Sequence, residues 1–160
     1  MRLFFFSIYF TFYSLNHCFS QSIKLEMSNK NKVPTNIILM IADGAGLSQI
    51  TAAMYENNNK FNLENFKVVG LQKTHSANSL ITDSAASGTA MACGIKTENG
   101  TIGIDTKNKS FESILEICEK KGYNSGIIVT SSIVHATPAS FYAKVISRAN
   151  YQEIAYQLSN

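Results

Sequence analysis

Ser84 stands beside Asp83 and is followed by Ala85, Ala86, Ser87, Gly88, Thr89 and Ala90. Small side chains over nearly two helical turns would let a large, charged substrate reach the backbone. A helix starting at Ser84 would turn its unpaired N–H groups and positive dipole end toward an anion. The hydroxyl could then attack phosphorus while the helix end holds the phosphoryl oxygens. A free hydroxyl is a weak nucleophile at neutral pH and needs a base or a metal. No histidine adjoins Ser84, which points to metal activation. Asp83 would then orient a group rather than take the proton. The same small residues also suit a helix packed tightly on a sheet, with Asp83 favoured at its start by the dipole alone.

Three further groups have suitable chemistry. Asp43 directly follows an apolar run, where a carboxylate can bind a hard or borderline cation or simply cap a turn. His135 and Thr137 are two apart. In extended chain both side chains face one way, so an imidazole and a hydroxyl could join one metal site; a loop histidine and a helix-capping threonine read equally well. Arg148 offers a guanidinium for bidentate binding of phosphate oxygens, or a cation at a helix C-terminus. His17 and His75 have no assigned role.

These groups need elements to hold them. Residues 36–42 form a continuous apolar run, with the length and branching of a strand buried on both faces. Leu47 to Tyr55 follows as a helix, with Ser48 as its candidate cap. Residues 66–71 read as a second strand. Ser84 to Ala92 should be helical and Gly94 should end it. Asn99-Gly100 marks a turn within a long loop. Ser110 is expected to cap a helix through Lys121, with Phe111, Ile114, Leu115 and Cys118 on one face and Gly122 as its stop. Residues 125–130 form a third candidate strand. Thr137-Pro138 opens a helix that Arg148 would end. Ten residues of helix span about 15 Å. Arg148 and Thr137 therefore share a site only if that helix crosses it, is short, or lets the arginine fold back. Tyr151 to Leu158 reads as a last helix. Strands alternating with helices predict an α/β domain with a mostly parallel central sheet flanked by helices.

The 160 residues allow one modest domain, and 45% hydrophobic content with 16% charge permits a core. A net charge of +3 without a basic run gives no support to a nucleic-acid partner. Residues 1–20 read as a secretory signal peptide: Arg2 begins it, Leu3 to Leu15 is mostly apolar, and Cys18-Phe19-Ser20 has the small residues of a cleavage site. The apolar run is short of the roughly 20 residues that span a bilayer, so no stable membrane span is expected. Bulky His17 argues against a lipid anchor on Cys18. Export implies a periplasmic or extracellular location. There Cys93 and Cys118 could pair, or remain two unpaired thiols. Residues 21–35 form a polar arm, and residues 36–160 the domain.

Three ordered blocks resemble the alkaline phosphatases. They are Ile38-Leu39-Met40-Ile41-Ala42-Asp43-Gly44; Thr82 through Ala90 continuing to Asn99-Gly100; and His135-Ala136-Thr137-Pro138 through Ala143, closing on Ser147-Arg148. The resemblance implies a metal-dependent phosphomonoesterase acting through a phosphoserine on Ser84. It implies that Asp83 positions a substrate-binding Arg148. It implies that Asp43 and Thr137 are metal ligands at a magnesium site, Asp43 being shared with one of two zinc sites. His135 occupies a position that is aspartate in some members and histidine in others. Small phosphate monoesters are the implied substrates, and a homodimer the implied oligomer. The family's remaining zinc ligands lie further downstream than Asn160. The chain therefore reads as the N-terminal part of a longer enzyme, its sheet incomplete at the C-terminus, and as a catalytically incomplete fragment by itself. A sulfatase or phosphodiesterase on the same fold is the alternative. Ala85-Ala86 after Ser84 lacks the proline and arginine that a sulfatase needs.

Overall fold

The computed structural model describes residues 35–159, so the expected signal peptide and most of the polar arm lie outside the described residues. The chain divides into two compact units, Met1–Met40 and Ile41–Asn160. In the first, residues 35–40 have no regular secondary structure and are exposed, with Ile38 at 86%.

The second unit is organised by short helices and tight turns. Helix α1 (Leu47–Glu56) starts at Gly46, whose N–H donates to Gln49 Oε1 at 3.0 Å, so Ser48 is not its cap. A 3-10 turn follows at Asn62–Asn65. Helix α2 (Ser84–Cys93) starts where the sequence places it. Asp83 is extended, accepts from the Ala86 N–H at 2.9 Å and so satisfies one orphan donor of the first turn. Gly94 ends α2 in the left-handed region at φ 68°, which glycine adopts without a Cβ penalty.

Helix α3 (Ile114–Lys120) begins later than Ser110. Ser113 and Glu116 form a reciprocal capping box: the Ser113 N–H donates to Glu116 Oε2 and the Glu116 N–H to Ser113 Oγ. Ser110 instead pairs with Ile104 in an isolated antiparallel bridge. Gly122, at φ 85°, follows the end of α3. Helix α4 (Ala136–Ala139) is a single turn, and helix α5 (Tyr151–Leu158) closes the described chain.

The expected strands at 36–42, 66–71 and 125–130 are not formed among the described residues. These segments have no regular secondary structure, and most of their apolar side chains are exposed, with Val69 at 83% and Ile128 at 99%. Apolar patterning favours a buried strand, but a ladder requires a neighbouring backbone to accept and donate. No described segment supplies one. The parallel sheet is thus not seen. The pairing that is present is antiparallel: Ile102 and Val145 exchange both N–H···O bonds at 2.9 Å.

That bridge runs through the core. Ala85, Ile102, Ala136, Ala139, Ala143, Val145 and Ile154 form one buried cluster, with Val134 and Tyr142 packed against it. Thr89, fully buried on α2, accepts from the Gly103 N–H at 2.9 Å and so fastens the helix to the ribbon. Gly88 faces α4 so closely that a Cβ there would lie 2.6 Å from Ser140 Oγ. Cys93 and Cys118 are free thiols.

Candidate active site

The ribbon resolves the geometric difficulty of Arg148. Helix α4 ends after one turn, so the chain does not carry Arg148 some 15 Å away. It returns through Val145 to run antiparallel beside residues 100–102. There the Arg148 N–H donates to Gly100 O at 2.7 Å, and Thr101 Oγ1 donates to Ile146 O at 3.1 Å. The guanidinium then points at the start of α2. Arg148 Nη1 lies 3.0 Å from Asp83 Oδ2 and 3.0 Å from Ser84 Oγ.

Ser84, Asp83 and Arg148 therefore form one cluster at the N-terminus of a ten-residue helix. All three are partly accessible, with the ion-pair side chains exposed by 38% (Arg148) and 26% (Asp83). Such a pair contributes little to stability. Its value is orientation: a hydroxyl, a cation and helix N–H groups converge where an anion can reach them.

Asp83 is held from several sides. Its Oδ2 also accepts from the Gly100 N–H at 3.0 Å, and its own N–H donates to Asn99 Oδ1 at 3.0 Å. The sequence marks Asn99-Gly100 as a turn at the end of the second resembling block, without a role at Asp83. Its contacts run 16 and 17 residues back along the chain, and no local pattern carries that information.

The second group of predicted residues is joined in part. Thr137 Oγ1 donates to Asp43 Oδ2 at 2.6 Å, across 94 residues of sequence. Asp43 is exposed in a turn where the Ala45 N–H donates to Ala42 O at 3.2 Å, with Gly44 at φ 73°. His135 does not lie in extended chain with Thr137. It is the N-cap of α4 and Thr137 is already helical, so the alternation of an extended chain does not govern the two side chains. The His135 ring lies against Tyr151, with centroids 6.2 Å apart. Among the described residues, no group of three or more His, Cys, Asp or Glu side chains converges as a metal site. Of the three predicted metal ligands, Asp43 and Thr137 are brought together, as a pair of convergent oxygens. The two clusters are mechanically linked. Thr137 Cα lies 3.6 Å from where a Cβ on Gly88 would sit, one helical turn beyond Ser84. His75 sits at the surface, its Nε2 2.5 Å from Lys96 Nζ.

The alkaline phosphatase family model matches residues 34–160. The chain belongs to the alkaline phosphatase family. Alkaline phosphatase 4 of Bacillus subtilis (strain 168) is 41% identical over 129 residues, covering 75% of this chain and 28% of the relative. The alkaline phosphatase of Schizosaccharomyces pombe is 39% identical over 138 residues, covering 80% and 25%. Among solved structures, the alkaline phosphatase of the Antarctic bacterium TAB5 superposes with a TM-score of 0.76 at 46% identity, covering 80% of this chain and 38% of that one. A histidine-to-aspartate mutant of the TAB5 enzyme, with magnesium bound in its M3 site, superposes at 0.70 with 44% identity over 73% of this chain and 34% of that one. The chain thus has the alkaline-phosphatase-like fold, and it spans about a quarter of the length of these curated relatives.

Proposed function

We propose that the whole protein hydrolyses phosphate monoesters through a phosphoserine on Ser84. The observation that carries this reading is the placement of Arg148 Nη1 3.0 Å from both Ser84 Oγ and Asp83 Oδ2 at the start of α2. A phosphoryl group entering there meets the guanidinium and the free N–H groups of the first turn, which bind its non-bridging oxygens. Ser84 Oγ attacks phosphorus in line. The Oγ–P bond forms, the P–O bond to the leaving group breaks, and the alcohol departs. Water then cleaves the phosphoserine and frees phosphate. Asp83 keeps Arg148 turned toward the phosphoryl oxygens and does not accept the serine proton.

Magnesium and two zinc ions are the proposed cofactors. Asp43 Oδ2 and Thr137 Oγ1, 2.6 Å apart, match the oxygen preference of magnesium, and His135, the N-cap of the turn that carries Thr137, is the third proposed ligand. For zinc, the described residues offer too few convergent donors. When bound, such cations acidify a hydroxyl or water and stabilise a leaving oxygen. Export to the periplasm or exterior and assembly as a homodimer belong to the same proposal. Among the described residues no helix is long and apolar enough to cross a membrane.

The test is hydrolysis of p-nitrophenyl phosphate by the whole protein at alkaline pH. We expect turnover, loss of turnover on chelation, and a phosphorylated Ser84 peptide in acid-quenched samples. Turnover that persists in Ser84→Ala overturns the nucleophile assignment. Preference for a sulfate ester or a phosphodiester over the monoester overturns the substrate class.

A further inference from the structure

We propose that Asn99 is a positioning residue for the Ser84–Arg148 pair, locking Asp83 and through it the arginine before any substrate arrives. The proposal rests on the phosphomonoesterase reading for its kinetic consequences, but its geometry stands by itself. Asn99 is partly buried and uses three hydrogen-bonding groups on three separate places in the chain. Its Oδ1 accepts from the Asp83 N–H at 3.0 Å, and its Nδ2 donates to Ile81 O at 2.9 Å. Its backbone N–H donates to Asn78 Oδ1 at 3.0 Å, an oxygen that also accepts from Ser76 Oγ at 3.1 Å. An asparagine needed only for its turn would bond the backbone beside it. The side chain of this one reaches 16 and 18 residues back, to the segment that delivers Ser84.

The neighbouring Gly100 completes the clamp. Its N–H donates to Asp83 Oδ2 and its carbonyl accepts from the Arg148 N–H. Its φ of 88° is a conformation that only glycine adopts readily, and it sets the two peptide units that flank this residue so that its N–H meets Asp83 while its carbonyl meets Arg148. Asp83 is thus gripped at its N–H by Asn99 and at its carboxylate by Gly100 and Ala86, which leaves Oδ2 aimed at Arg148. Removing the Asn99 side chain orphans the Asp83 N–H and the Ile81 carbonyl. The loop before α2 then gains freedom, and the arginine loses its fixed anchor.

The experiment is a double-mutant cycle in the whole, metal-loaded protein, with p-nitrophenyl phosphate as substrate and inorganic phosphate as inhibitor. Asn99→Ala should lower kcat/KM and weaken phosphate inhibition, each by about tenfold. In an Arg148→Ala background the same change should cost less than about twofold, because its route to the phosphate runs through the arginine. A full effect in that background, or an unchanged phosphate inhibition constant in the single variant, overturns the proposal. If Asn99→Ala does not fold, Asn78→Ala, which removes one acceptor of the clamp, should give the same pattern several-fold weaker, and fully additive effects overturn it. If the wild-type protein turns over no ester, the phosphatase reading fails. Hydrogen–deuterium exchange then decides the positioning role: exchange at residues 81–84 should accelerate in the Asn99 or Asn78 variant, and unchanged exchange there overturns it.

Discussion

Substituting Gly88 by alanine isolates the contact that ties the nucleophile helix to the His135–Thr137 turn. In an exposed helix the change would stabilise by about 1 kcal/mol, because glycine has the poorer propensity. Here the new Cβ would lie 2.6 Å from Ser140 Oγ and 3.1 Å from Ser140 Cβ. Ser140 cannot easily turn aside. It is fully buried, and its hydroxyl donates to Ala136 O at 2.8 Å. Overpacking of a locked site costs about 1–3 kcal/mol. The clash therefore outweighs the propensity gain and leaves a net loss of about 1 kcal/mol. With a urea slope of about 2 kcal/mol/M, the unfolding midpoint should fall by about 0.5 M. Ser140→Ala removes the 2.6 Å contact, and Ala136 O keeps its bond from the Ser140 backbone N–H. The double variant should recover most of the loss. Urea titration followed by circular dichroism measures all four proteins. A Gly88→Ala protein as stable as wild type, or no recovery with Ser140→Ala, refutes the reasoning.

Gly103→Ala should be more damaging. A Cβ there would sit 2.5 Å from both the Ala143 carbonyl oxygen and Lys144 Cδ at φ 66°; the lysine can move, but the strain and the carbonyl clash fall on backbone. We expect a loss of about 3 kcal/mol or more, read as a lowered urea midpoint together with weaker phosphate binding, since the ribbon also places Arg148. Acid should weaken the link between α3 and Lys144. Burial raises the Glu116 pKa, but hydrogen bonds from Lys144 and Ser113 outweigh it and leave it below its ordinary value. A carboxyl lowered on folding contributes stability above its unfolded pKa and loses it as pH falls through the folded value. The urea midpoint should therefore drop below roughly pH 4, and Glu116→Gln should flatten that part of the profile. A profile unchanged by the substitution would show that other carboxyls govern acid unfolding.

Much of the site was legible because its signals are local. Asp83 before a run of small residues, Gly94 after it and the boundaries of α5 follow from capping and propensity. The start of α3 was misplaced although its signal was also local: Ser113 with Glu116 three residues on is a stronger start than Ser110. The strands failed for another reason. An apolar run records a preference for burial, but pairing depends on a partner far away in sequence. The joining of Thr137 to Asp43 and the return of Arg148 to Gly100 are also non-local. The first came from block resemblance. The second is hidden because the run from Pro138 to Arg148 reads as one long helix, whereas α4 stops after a single turn. The long-range bonds of Asn99 had no sequence signature, because an Asn-Gly pair looks the same whether it closes a turn or braces a distant loop.

Asn-Gly is also the dipeptide most prone to spontaneous ageing. The glycine nitrogen attacks the asparagine side-chain carbonyl, ammonia leaves, and water opens the cyclic imide to aspartate or isoaspartate. Here the Gly100 N–H is given to Asp83, and the Asn99 amide is tied to Asp83 and Ile81. Neither reacting group is free while the clamp is closed. The clamp thus doubles as a shield, and each opening exposes the residue to irreversible loss of its amide donor. Peptide mapping of native and urea-unfolded protein after incubation should find the conversion at Asn99 concentrated in the unfolded sample; equal rates would mean the clamp gives no protection. Chemical lifetime, and not folding stability alone, would then set how long this Asn-Gly turn keeps its asparagine.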